Sequence, residues 1–328
     1  MRRSVAAACC LLLILSVLSF TGCGSEKEPA TPENPSGNKE QNNVDDAQQK
    51  AKDKEIQTAL DQLLAEEPLP EALITFLDLN IAEASPAQAS KLYLALEENQ
   101  LVYHWVLEDK YYADMTVQEM MFQEFIKTEK LESLYAMENS KVKALMEDTR
   151  SNGFRVETTE GVFMPVLDYQ KHLQYQQYVE ADLKDYIQLR FAESSQIAAK
   201  DASLMISWEQ VLERALNQED FLVKYPDSVK WKDVRRLMSN YEFFLLFGVD
   251  NTPLFSYETG AMDPQVKNLY EKTIAEPAYK DNQIVIMLSD YMKLLKASNW
   301  KLSAQAEQFR TDRLTQANQE SEPAQEAQ

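Results

Sequence analysis

Between about residues 56 and 316 the apolar positions recur at helical intervals, with polar residues filling the gaps. Val234, Leu237, Met238, Tyr241, Phe244 and Leu245 share one helical face, and Val266, Leu269, Tyr270, Thr273 and Ile274 share another. Helix starts are written in capping chemistry. Ser85-Pro86-Ala87-Gln88, Thr116-Val117-Gln118-Glu119 and Ser207-Trp208-Glu209-Gln210 fit the S/T-x-x-E/Q box, whose two side chains satisfy free backbone donors reciprocally. Asp263-Pro264 marks another start, with proline at the first helical position. Asn152-Gly153 closes a helix expected from about residue 130, and Gly248 closes one expected from about residue 228. One stretch breaks the helical period: residues 154–166, FRVETTEGVFMPV, place β-branched and aromatic residues on either side of Thr159-Glu160-Gly161. That predicts a short β-hairpin. A lone hairpin is marginal by itself and must pack on helices, as a joint between two helical parts or as a protruding contact element. The fold class read from the pattern is therefore all-α, built of stacked helix-turn-helix pairs, with one short hairpin.

The C-terminal half repeats itself. Lys224-Tyr225-Pro226-Asp227-Ser228 separates two helices and Glu276-Pro277-Ala278-Tyr279-Lys280 separates the next two, with Tyr241, Phe244 and Leu245 echoed by Tyr291, Leu294 and Leu295. A period of about 50 residues implies helix pairs that bury their faces on one another. Phe221-Leu222-Val223-Lys224-Tyr225-Pro226-Asp227-Ser228 resembles the helix-turn-helix signature of tetratricopeptide-like repeats, over residues 207–296. The second unit lacks the Tyr-Pro-x-Ser wording, and both units are longer than the usual ~34 residues. The resemblance implies an assembly scaffold.

The pattern changes at both ends. Residues 1–22 have a basic start, Met1-Arg2-Arg3, then an apolar run over 5–20, which is the anatomy of an export signal. Phe20-Thr21-Gly22-Cys23 resembles the lipobox of bacterial lipoproteins, although Phe20 stands where that motif prefers Leu. The resemblance implies that Cys23 is diacylated and anchors the chain to the extracytoplasmic face of the cell membrane. Cys9 and Cys10 would leave with the signal, so Cys23 would be the sole mature cysteine. Residues 23–55 carry three prolines, mixed charge and almost no branched apolar residues, and read as a disordered tether; residues 317–328 read as a disordered tail. Between them lie an N-terminal helical region, 56–152, and a hairpin plus helical-repeat region, 153–316. The wording Glu160-Gly161, Leu167-Asp168-Tyr169, Ile206-Ser207-Trp208-Glu209 and Tyr225-Pro226-x-Ser228, followed by Asp250-Asn251-Thr252-Pro253, resembles a group of uncharacterised lipoproteins from Gram-positive bacteria. That implies membrane attachment and a helical body, and no activity.

Composition narrows the chemistry. The chain of 328 residues has a formal charge of −20, 7 Gly, 2 His and 3 Cys. Scarce glycine disfavours phosphate-cradling loops, and the acidity disfavours nucleic acid as a partner. Residues 56–316 hold 26 Lys and Arg against 42 Asp and Glu, a net −16, so the acidity belongs to the folded surface. Such a surface serves solubility, or meets a basic partner or a cation-rich wall polymer.

No G-x-S-x-G, H-E-x-x-H, Walker loop, G-x-G-x-x-G or Cys pair occurs, and no cofactor or metal is implied. The loop Val249-Asp250-Asn251-Thr252 lacks the alternating ligands of a calcium site and reads as a turn or helix link. His104, among apolar neighbours, reads as a semi-buried packing residue; His172, four residues after Asp168 on an expected helix, reads as half of a local ion pair. Glu160 at the hairpin tip is a catalytic carboxylate only if a second acid faces it.

Two aromatic groups remain: Tyr169, Tyr175, Tyr178 and Tyr186 after the hairpin, and Phe243, Phe244, Phe247, Phe255 and Tyr257 around Gly248. They are either core or the lining of a sugar- or peptide-binding groove, for which Tyr169, Tyr175, Tyr178, Tyr186, Phe247 and Tyr257 are the candidate contacts. The preferred function is a lipid-anchored, non-catalytic scaffold or adaptor for an envelope protein or peptide. A wall-glycan or small-solute binding protein is the alternative, and a carboxylate-dependent hydrolase the third.

Overall fold

The computed structural model describes residues 36–321; contacts divide the chain at Asp46/Ala47, and the helical body is the unit from Ala47 onward. The signal segment 1–22, Cys23 and the first part of the expected tether lie outside the described residues. Eleven α-helices and three two-stranded antiparallel hairpins make up the described chain: α1 Ser36–Leu64, α2 Pro70–Asn80, α3 Pro86–Tyr112, α4 Met115–Thr128, α5 Ser140–Ser151, β1 Phe154–Thr159, β2 Val162–Leu167, α6 Ala181–Ser195, β3 Ala199–Lys200, β4 Ser203–Leu204, α7 Trp208–Lys224, α8 Trp231–Phe247, β5 Gly248–Val249, β6 Thr252–Pro253, α9 Pro264–Ile274, α10 Gln283–Ala297 and α11 Ala304–Ser321. The protein is mainly helical, as the apolar period implies. No helix among the described residues is long and apolar enough to cross a membrane.

Both ends of the body differ from the pattern's expectation. The tether is expected to be disordered through residue 55, yet α1 begins at Ser36. Ile56 and Leu60, one helical turn apart, bury into the core, while Asp53 accepts from both the backbone N–H (2.9 Å) and the hydroxyl (2.5 Å) of Ser85, and Lys52 pairs with Glu83 at 2.7 Å. The tail expected from residue 317 is helical through Ser321, because α11 docks on α8. Ala317 is fully buried, and Arg235 joins Glu242 (3.3 Å) and Glu320 (2.9 Å) while Arg313 joins Glu242 (3.0 Å).

Helix limits follow the capping residues with two exceptions. Ser207 and Gln210 form the complete box, Ser85 caps α3, and the Asp263 carboxylate accepts from the N–H groups of Gln265 and Val266. Thr116 is not a cap. Asp114, two residues earlier, takes that position and accepts from the Thr116 N–H. The helix ending at Ser151 starts at Ser140, where Asn139 caps it, and not near residue 130; a short 3-10 turn over Leu131–Ala136 precedes it.

The expected hairpin forms, with Thr159 opposite Val162 and Phe154 opposite Leu167, so that its turn is Glu160-Gly161 alone. Glu160 and Gly161 both have positive φ, 49° and 77°, the type I′ geometry that matches strand twist. Its inward residues Phe154, Val156 and Phe163 join Tyr103, Leu107, Tyr111, Met121, Val142 and Met146 in one core. A larger core collects Ile56, Leu60, α2, the first half of α3 and α6 to α11. Helix α3 runs through both, with Ala89, Leu92, Tyr93 and Leu96 in the larger and Tyr103, Leu107 and Tyr111 in the smaller. The hairpin therefore packs with α3 to α5 and does not protrude.

In the C-terminal half α7 pairs with α8 and α9 with α10, and α7 touches both members of the second pair. Glu219 of α7 makes the joint. Its carboxylate accepts from the Gln283 N–H and, at 2.8 Å, from the Ile284 N–H, two of the free donors at the start of α10.

Candidate functional site

The aromatic candidates are mostly core. Tyr169, Tyr175 and Tyr186 are each 2% exposed and Tyr178 is half-buried. The Tyr175 hydroxyl donates to Asp78 at 2.9 Å, while Tyr169 and Tyr186 face a buried charge cluster. Glu97 of α3 is fully buried; the Tyr169 hydroxyl donates to it at 2.6 Å and the Lys230 ammonium, at the start of α8, meets it at 2.6 Å. Lys230 also lies 5.1 Å over the Tyr186 ring, and the Arg190 guanidinium 4.9 Å over the Tyr169 ring. Burial pushes the Glu97 carboxyl up, but Lys230 and the hydrogen bond from Tyr169 outweigh it and hold it below the usual range. His172 is buried in the same cluster, its Nδ1 3.2 Å from the Tyr93 hydroxyl. It makes no ion pair with Asp168, and burial lowers its pKa to about 4, so it is neutral. A helical period says which face turns inward. It does not say that Tyr169, turned inward, meets Glu97, 72 residues before it.

The second aromatic group is divided. Phe247 is half-buried, stacked on Phe243 with 5.1 Å between centroids, under the Arg310 guanidinium at 4.2 Å. Tyr257 is 77% exposed, and its hydroxyl donates to the Asp250 carbonyl at 3.0 Å. His104 is half-buried with Nε2 3.0 Å from the Pro165 carbonyl, in keeping with a packing role. Glu160 stands exposed at the hairpin tip. Asp250-Asn251 forms a two-residue turn between β5 and β6, and its Asn251 N–H groups donate to the Ala202 and Asp201 carbonyls in the turn between β3 and β4. The Thr159 hydroxyl reaches the Asp201 carboxylate from the first hairpin. Three turns are thereby tied in a row, two of them in hairpins that the apolar pattern does not announce.

None of the six candidates lines the largest concavity found among the described residues. That groove, of 880 Å³, lies between α6, α7 and the lead into α10. Asp185, Gln188, Leu189, Ala192 and Glu193 recur at helical spacing along the α6 wall, and Arg214, Asn217, Gln218, Phe221 and Lys224 do so along α7. Ala278, Tyr279, Asp281 and Asn282 complete it. Five carboxylates, those of Asp185, Glu193, Glu219, Asp220 and Asp281, face two cations, Arg214 and Lys224.

The acids have different tasks. Glu193 receives the Tyr241 hydroxyl at 2.6 Å and lies 3.5 Å from Arg214; burial still raises its pKa. Burial likewise raises Glu219, against the two N–H groups it caps. Asp185 accepts from Lys224 and from the Tyr225 hydroxyl, both at 2.8 Å, and these bonds outweigh burial and lower its pKa. Asp220 and Asp281 are exposed and carry no ion pair within the groove. Gln218, 1% exposed, donates weakly to Glu193 at 3.4 Å and leaves its carbonyl oxygen without a protein donor. The charge of the lining left without a partner inside the groove is therefore negative. With 53 acidic residues in the chain, no spacing rule selects these five; only the packing of α6 against α7 does. Comparison of the chain with protein-family models, with curated proteins and with solved structures gave no match.

Proposed function

We propose that this chain is an extracytoplasmic adaptor, lipid-anchored through Cys23, whose groove between α6, α7 and the lead into α10 takes a cationic segment of a protein or peptide partner. The observation that carries the reading is the lining: five carboxylates against two cations, with the buried Gln218 carbonyl as a further acceptor. A low-dielectric wall of one sign concentrates ligands of the other. Lys and Arg side chains supply donors and positive charge together, and their alkyl stems suit Leu189, Phe221, Val223 and Tyr279 between the acids. A protein partner is further supported by Leu101, Val102, Trp105 and Val106, an exposed apolar stripe on α3. The anchor rests on the resemblance of residues 20–23 to a lipobox.

The test is a titration of a fluorescent Lys-Gly alternating peptide onto the full mature chain and onto an Asp220→Lys/Asp281→Lys variant. Binding should weaken with salt over the range where the Debye length falls to about 10 Å and below, and the double reversal should weaken it at least tenfold. Equal affinity in both proteins would rule the groove out as the binding site. Incorporation of labelled palmitate into the wild-type chain, and its loss in Cys23→Ala, checks the anchor separately.

A further inference from the structure

A second cavity, of 250 Å³, opens where α2, α3 and the start of β1 meet the turn after Tyr169, away from the lining of the acidic groove. Its apolar wall is Ile74 and Leu96, with the Tyr175 ring beside them. Two fully packed side chains of its lining each hold a polar atom without a hydrogen-bond partner in the protein. One is the Gln100 carbonyl oxygen and the other is His172 Nε2, and each residue is 1% exposed. Side chains this buried normally satisfy both ends, so two unmet atoms on one wall point to a ligand.

The chemistry of that ligand follows from its neighbours. The Gln100 amide nitrogen donates to the Asn152 carbonyl at 3.1 Å, which fixes the amide orientation, because a flip would set oxygen against oxygen. The ligand must therefore bring a donor to the Gln100 oxygen. His172 is held through Nδ1 by the Tyr93 hydroxyl, and its neutral ring offers Nε2 as donor or acceptor according to which partner carries the shared proton. A hydroxyl group suits both outcomes. The lining holds one charged side chain, Lys171, whose ammonium donates to the Arg150 carbonyl at 2.7 Å. It offers no counter-charge to a cationic ligand, which would lose its hydration without compensation. The volume holds roughly eight waters at ~30 Å³ each, below the ~300 Å³ of a drug-sized site. Gly153, at φ 88°, keeps the space open, since a Cβ there would overlap the Gln100 amide.

We propose that this cavity is a binding site for a small neutral polyol or monosaccharide, held by hydroxyl groups on the Gln100 oxygen and His172 Nε2. The site is independent of the cationic-segment reading of the groove.

The chain has two histidines, and His104 Nε2 is already occupied by the Pro165 carbonyl, so it serves as an internal control. Glycerol and glucose are titrated separately into the full chain while the ring nitrogens are followed by long-range 1H-15N NMR. The expected result is a saturable movement of the His172 Nε2 resonance with at least one probe and none at His104. Gln100→Met, close in volume but without the acceptor, should weaken that binding at least tenfold. Ile74→Phe, which narrows the cavity and leaves both polar atoms in place, is the second variant and should abolish it even if Gln100→Met fails to fold. Movement of both histidines together, no movement with either probe, or unchanged affinity in Ile74→Phe would mean that the cavity holds ordered water only, and would overturn the proposal.

Discussion

Replacing Lys230 by Met should turn the buried charge cluster from a clamp into a fault. Glu97 is fully buried and Lys230 is 12% exposed at its side chain, with 2.6 Å between the charges. Met keeps the stem and removes the ammonium, leaving Glu97 with the Tyr169 hydroxyl alone. Breaking a buried pair from one side costs about 3–5 kcal/mol, because the remaining charge is desolvated without its counter-ion. At ~2–4 °C per kcal/mol for a large domain, the melting temperature should fall by roughly 6–20 °C. The sign of the pH dependence should also change. In the wild type the Glu97 pKa is lowered on folding, so its contribution is present above the unfolded-state pKa and is lost as pH falls through the folded value. Without Lys230 burial dominates and the folded pKa rises above the unfolded one. The variant then recovers stability, relative to wild type, as pH falls from about 7 to about 5. Urea melts followed by circular dichroism at both pH values measure this, and Glu97→Gln/Lys230→Met should be more stable near neutral pH than Lys230→Met alone. A cost below about 1 kcal/mol at neutral pH, or a gap to wild type that widens on acidification, would refute the reasoning.

Other consequences can be checked in the same way. His172 has a folded pKa lowered to about 4 by burial, with Arg190 and Lys171 acting in the same direction and Glu97 opposing. The unfolded chain therefore takes up this proton first as pH falls below ~6.5, and stability is lost between there and about 4; His172→Phe should flatten that part of the pH profile in urea melts. Gly248 ends α8 at φ 72°, and a Cβ there would lie 2.6 Å from the Leu254 nitrogen and the Thr252 oxygen, so Gly248→Ala should cost more than the ~1 kcal/mol of an ordinary left-handed alanine. Thermal denaturation will show it. Ser207→Ala removes one half of the capping box of α7 and should destabilise by about 1 kcal/mol in denaturant melts, with no change in the groove.

Features written in neighbouring residues are legible without the fold. The hairpin turn, the Ser207 and Asp263 caps and the Gly248 stop depend on a few adjacent residues, and each stands where the chain indicates. The helical pairs on either side of Pro226 and Pro277 are legible for the same reason, since proline and polar residues interrupt a sustained apolar face. Thr116 misleads because Asp114, a stronger cap in the same turn, competes for the free N–H groups.

What stays hidden depends on distant partners. α1 and α11 are polar along most of their length and look like solvated ends; Asp53 meeting Ser85, and Arg235 meeting Glu320, hold them in place. Tyr169 and Tyr186 carry a polar group that suits a groove wall as well as a core, and only Glu97 and Lys230 decide for the core. The groove acids are chemically identical to dozens of surface acids, so their selection waits on the packing of α6 against α7.

Hydrogen exchange of the full chain with and without the Lys-Gly peptide, mapped by mass spectrometry, locates the partner surface without presupposing it. If the acidic groove takes the cationic segment, new protection appears in α6, in α7 and over residues 277–283, and none in α4 or the hairpin. Protection confined to the α3 stripe, with α6 and α7 unchanged, would contradict the assignment of the groove.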